Sequence, residues 1–167
     1  TLTEAPSLRK PVFIAGGTLD VRALDSSALT NQNILGNGGT LVADSSQTVS
    51  LSGNADIRYG VTGANLLFGT PGGFSHLFLC GQYSGASYTV QGGTVSLRSG
   101  ATLGSSDSSA PLRIEDGASF TNYGMLLADT TVAAGASMLN EGHIQAGVQV
   151  DSGALYVNHG QHEGNLS

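Results

Sequence analysis

From Ile114 onward the chain carries a large apolar residue at every sixth position: Ile114, Phe120, Leu126, Val132, Met138, Ile144, Val150 and Tyr156. Four residues after each stands a small or β-branched one, from Ala118 and Gly124 to Ala154 and Gly160. A longer period contains this one. The segments Ile114–Ser119, Val132–Ser137 and Val150–Leu155 align at a spacing of 18 residues, and each runs on to Asn-x-Gly, at Asn122, Asn140 and Asn158. Three hexads thus make one turn of a coil with three flat faces. Because 18 is even, a side chain that points inward on one turn points inward on the next, as strand alternation requires. One parity reads Ile114, Ala118, Phe120, Asn122, Leu126, Ala128, which is a core. The other reads Arg113, Glu115, Ser119, Thr121, Tyr123, Asp129, which is a surface. No segment sustains helical spacing, and Gly recurs too often for a helix interior. The pattern predicts an all-β protein, a single-stranded parallel β-helix with about 18 residues per rung in its C-terminal part.

Upstream the same phrase returns in weaker form. Ile14, Leu35, Leu51, Ile57, Val90 and Leu97 each lead a turn containing Gly or Asn, with Leu41 six residues after Leu35. The spacing is irregular there, so the whole chain, 1–167, reads as one β-helix domain. Irregular rungs with loops occupy 1–111 and regular rungs 112–167. Ser105–Pro111 reads as an inserted surface loop and Gly69–Gly73 as a turn. Leu77 to Cys80 reads as a fully buried strand, with Cys80 as a buried thiol.

Repeated residues are expected to form ladders. Asn122, Asn140 and Asn158 stack rung on rung, about 4.8 Å apart, so that one amide bonds the next. Phe120, Met138 and Tyr156 form a core column, in which the Tyr156 hydroxyl needs a partner. Superposed rungs place His159 beside Glu141, His143 beside Gln161, and His162 in the inward slot of Leu126 and Ile144. With Glu163 these side chains gather at one corner, as a metal site would require. They match no tight ligand spacing and are of mixed parity, so a polar chain terminus is expected and no metal is assigned.

Composition narrows the function. Charged residues are 11% of the chain and hydrophobic ones 40%, which fits neither a disordered tail nor a membrane span. Twenty-five glycines against four prolines imply many turns. Aromatics are 6% with no Trp, so no large aromatic core or stacking platform is expected. A net charge of −6, with Arg9-Lys10 as the densest basic pair, argues against nucleic acid and anionic membranes. No nucleophile elbow, phosphate loop, His-Glu-x-x-His or paired Cys motif occurs, and no cofactor site is assigned. Glu115, Ala133 and Asp151 form an outward column too sparse in acid for a glycosidase, so an enzyme is not expected.

The run from Thr130-Thr131-Val132 through Gly135, Gly147, Val150 and Gly153 to Gly160 resembles passenger repeats of the AIDA-type self-associating autotransporter adhesins. The Gly-Gly-Thr segments at Gly16–Leu19, Gly38–Leu41 and Gly92–Val95 share the likeness. The resemblance implies a secreted Gram-negative passenger that forms a right-handed β-helix at the outer membrane, attached through a barrel absent from this chain. It implies adhesion, autoaggregation or biofilm formation, by self-association or by contact with a host-cell surface protein or glycan. Some such passengers are O-glycosylated. The alternatives are a polymer-forming, bactofilin-like cytoskeletal scaffold and a carbohydrate-active β-helix protein. If binding occurs it must use the outer faces, and Leu139, Leu155 and Val157 form a candidate self-association patch. The chain starts at Thr1 without a signal peptide, as a cytosolic protein or a processed fragment would. Its last rung is still regular at Tyr156, so the chain is expected to be cut from a longer helix or to pair end to end.

Overall fold

The computed structural model describes residues 11–24, 29–107 and 109–167, so the pair Arg9-Lys10 lies outside the described residues. The described chain is all strand and turn, with no helix. Its strands wind as a β-solenoid of about seven turns, roughly 20 residues per turn. Face 1 is an eight-stranded sheet from Thr18–Asp20 to Gln161–His162. Face 2 has six strands, Thr48–Leu51 to Val148–Val150, and face 3 has six, Asn54–Ile57 to Leu155–Asn158. Every pairing is parallel. Each internal strand gives its N–H and C=O groups to the rungs on either side, so no hairpin is needed and only the two ends are left as edges.

Alternation along each strand builds the core. On face 2, Leu51, Phe68, Val90, Ile114 and Val132 form one inward column. On face 3, Leu77, Val95, Phe120 and Met138 form another, and all nine side chains are buried. The 18-residue register holds from Leu112 onward, with Leu112 against Thr130 and Thr130 against Val148. Upstream the register varies: Ser87 lies against Asn65, 22 residues back, while Thr94 lies against His76 at the same 18-residue spacing. Between Leu103 and Leu112 the described residues of the expected insertion belong to no named strand, and Ala110 among them is buried in the core.

Three expectations are corrected. Leu35 is exposed and Ile34 is the inward residue, because the first rungs do not keep the hexad phase. The strand His76–Leu79 alternates and is not buried throughout: Leu77 and Leu79 point in, which turns Phe78 and Cys80 outward and leaves Cys80 exposed. Aromatic residues do contribute to the core, since Tyr59, Tyr83, Tyr88, Phe68 and Phe120 are among its largest buried side chains. The tyrosines are tolerated because their hydroxyls find backbone. Tyr59 Oη donates to the Ile34 carbonyl at 3.2 Å, Tyr83 Oη to that of Ile57 at 2.7 Å, and Tyr88 Oη to that of Tyr83 at 3.0 Å. Burial pushes all three phenols well above their ordinary pKa, so they stay neutral donors.

The Asn ladder is present. Asn122 Nδ2 donates to Asn140 Oδ1 at 2.8 Å, and Asn140 Nδ2 to Asn158 Oδ1 at 2.7 Å. Each amide also ties down the turn that follows it. Asn122 Nδ2 reaches the His143 carbonyl and Asn140 Nδ2 that of Gln161, while their Oδ1 atoms accept from Gly124 and Gly142 N–H. A buried amide whose donors and acceptors are all used is an inexpensive way to turn an apolar column through a corner.

Two glycine columns set two corners. Gly117, Gly135 and Gly153 stack with φ of 73°, 78° and 86°. At Gly124, Gly142 and Gly160 the backbone is ordinary, but a Cβ on each would strike the carbonyl of the residue one rung back. Gly153→Ala has open space beside it and is expected to cost only the left-handed strain, about 1–2 kcal/mol. Gly142→Ala carries no such strain but must displace the Gly124 carbonyl, which is backbone of the rung before, and should cost more. Urea melts of the two variants check the order.

Candidate functional site

The outer faces are where chemistry can occur. Leu139 pairs with Val157 across adjacent strands of face 3, and Leu155 lies two residues before Val157 on the same strand, opposite Ser137. All three point outward, as their parity predicts. Leu155 is 58% exposed, while Leu139 and Val157 are half-buried. Part of that exposure comes from position, because no strand among the described residues pairs with the outer edge of Leu155–Asn158. The patch is contiguous and small.

The histidine corner also assembles as the superposed rungs predict. His159 Nδ1 lies 2.9 Å from Glu141 Oε1, and His143 Nε2 lies 2.9 Å from Glu163 Oε1. The second contact is within ion-pair distance but off hydrogen-bond geometry, which leaves this nitrogen buried without a hydrogen bond. His162 occupies the inward column next to Ile144, where Tyr156 Oη lies 3.2 Å from its Nδ1 and the Ala146 carbonyl 3.2 Å from its Nε2. The Tyr156 hydroxyl thus has its partner. Each carboxylate meets one imidazole, and no group of three potential metal ligands forms among the described residues.

Beside this corner a shallow groove of about 560 Å³ runs along the axis. The glycines of the Asn-x-Gly turns form its floor, with Tyr123 and Glu141 on one wall and Thr102, Met125, His143 and Gln161 on the other. It is open to solvent and holds no nucleophile paired with a base. The outward acids of face 2 are engaged by neighbours on their own strands or turns. Arg113 Nε donates to Glu115 at 2.9 Å, and Gln149 Nε2 to Asp151 at 3.1 Å. Near the N-terminal end, three hydrogen bonds from Arg22, two from its guanidinium and one from its backbone N–H, hold the Asp20 carboxyl down at about 2.

One cluster on face 3 escapes the sequence reading. Phe78 points outward with the His76 ring 4.8 Å away, centroid to centroid. From the next rung the Arg98 guanidinium lies over Phe78, 4.0 Å from the ring centre. Phe74, in the turn before this strand, is fully exposed. The readable signal was the alternation His76-Leu77-Phe78-Leu79-Cys80, which puts three chemically active side chains on one face. Cys80 itself is not activated. Partial burial, then the Asp56 charge, push its thiol upward, so it stays protonated at neutral pH.

Compared with protein-family models, curated proteins and solved structures, the chain matches none of them.

Proposed function

We propose that this β-solenoid is a passenger-type segment of a secreted bacterial surface adhesin, acting by adhesion or self-association and not by catalysis. The observation that carries the reading is the closed core. Large side chains fill the interior of successive rungs, and the groove beside the histidine corner lies open on the outside. A solid rod has only its faces to bind with, and low-charge faces rich in Ser, Thr, Asn and Gln suit weak contacts repeated over many copies. Attachment to the outer membrane would come from a barrel outside this chain.

The test of location is protease treatment of intact cells making the native protein. The reading expects digestion without lysis; a protein protected until lysis overturns it. The test of the patch is Leu139→Lys with Val157→Glu in the cell-displayed protein. Clumping should fall severalfold at unchanged surface expression, and undiminished clumping clears these residues of the role.

A second reading, a polymer-forming scaffold, is favoured by one observation. Asn165 and Ser167 continue face 2 by accepting from Val148 and Val150 N–H at 2.8 Å each, so strand-to-strand stacking along the axis runs on through the last described residues. Intracellular filaments of the native protein would decide for it.

A further inference from the structure

The cluster of His76, Phe78 and Arg98 on face 3, with Phe74 exposed just before its strand, has the chemistry of a ligand platform. Three of the described arginines are occupied by acids two residues away: Arg22 by Asp20 at 2.6 Å, Arg58 by Asp56 at 3.1 Å and Arg113 by Glu115 at 2.9 Å. Arg98 is the exception. No carboxylate lies within ion-pair distance of it among the described residues, and its guanidinium carbon sits over the Phe78 ring. In a chain of net charge −6 this is a cation held ready and left unneutralised. The ionisable groups nearest in register are Asp56, opposite Phe78 and already bound by Arg58, then His76 and Cys80. An anion arriving at Arg98 therefore meets no free carboxylate on the neighbouring strands.

We infer that this face binds an anionic saccharide, with its acid group on the Arg98 fork and a sugar ring against the exposed rings of His76 and Phe74. A guanidinium presents paired donors that match a carboxylate or a sulfate, and stacking over an aromatic ring leaves its edge donors free. An acidic peptide fits less well. The strand His76–Leu79 is paired on both sides, with Asn54–Ile57 and Thr94–Leu97, so it offers no free edge to a peptide backbone. A sugar brings its own hydroxyls and needs only a flat platform. Beyond Arg98 the Gly-floored groove begins at Gly100 and runs past Tyr123, giving a linear chain room to continue along the axis.

The experiment titrates the whole chain by NMR or calorimetry with a galacturonic-acid oligomer, its neutral methyl ester, a heparin oligosaccharide and an oligoglutamate. The charged saccharides should bind and the methyl ester should not. Arg98→Gln should weaken binding about tenfold, the worth of one charge-assisted hydrogen bond, and Phe74→Ser should weaken it less. Both residues are exposed, so an unchanged thermal melt shows that the fold is intact. Arg98-dependent binding of the galacturonate alone assigns a carboxylate to the site, and of heparin alone a sulfate; either supports the inference. Equal binding of the methyl ester, equal binding of oligoglutamate, indifference to Arg98→Gln or no binding at millimolar ligand overturns it. Cells that still clump while saccharide binding is absent would overturn this inference alone and leave the adhesin reading standing.

Discussion

Val132→Asp is expected to unfold the C-terminal rungs. Val132 is fully buried between Ile114 and Val150 in one inward column, with no hydrogen-bond donor aimed at it. A carboxylate there loses its water and gains no partner, at a cost of about 3–5 kcal/mol. Each rung touches only its neighbours, so the damage should spread outward toward Ser167 before it reaches the longer N-terminal rungs. Ser137→Asp is the control. Ser137 sits on the outer side of face 3, where its hydroxyl meets that of Ser119 at 3.0 Å, and the change should cost under about 0.5 kcal/mol. Denaturant melts followed by circular dichroism distinguish the two; equal shifts would mean that inside and outside have been exchanged.

Asn140→Asp should be nearly as severe, although it alters one atom. The Asn140 amide nitrogen donates to Asn158 Oδ1 and to the Gln161 carbonyl, and the side chain is fully buried. A carboxylate in its place sets oxygen against two oxygens, and each donor lost leaves an acceptor unsatisfied at about 1–3 kcal/mol. Burial and these oxygens would raise the folded-state pKa above the unfolded value of about 3.9. The protonated acid restores one donor. The deficit relative to the native protein should therefore be smallest below about pH 4 and grow as pH rises through the raised folded value. A deficit that does not change with pH would show that the ladder does not read the proton. Asn140→Ala, which removes the side chain altogether, should show no such pH dependence.

Much of this could be read from the residues because the last rungs keep an even, constant period. Once Ile114, Val132 and Val150 are aligned, the inward placement of Asn122 and His162 and the meeting of His159 with Glu141 follow from parity alone. Where rungs lengthen to 20 residues and more, the phase of one no longer predicts the next. The hexad phase therefore points Leu35 inward, whereas Cys80 reads as buried because the apolar run Leu77–Cys80 conceals its alternation. Tyr59 and Tyr83 failed for another reason. A buried phenol is acceptable only where a carbonyl lies within reach, and that carbonyl belongs to a rung 25 or 26 residues earlier, known only once the register is known. The stacking of Arg98 on Phe78 was hidden in the same way, since the two meet only after the rungs are superposed.

The one-neighbour architecture has a mechanical consequence. Load applied along the rod from the C-terminal side falls first on the bonds that hold Asn165 and Ser167 to Val148–Val150, then on the short ladders that hold Gln161–His162 to His143–Ile144 and Leu155–Asn158 to Ser137–Asn140. These bonds are strained one rung at a time, so the rod should peel in successive small steps and not rupture at a single high force. Each released rung adds contour length while the remainder stays folded. A stretched rod of this kind dissipates a pull gradually, and it can rewind from the template edge that the last intact rung presents.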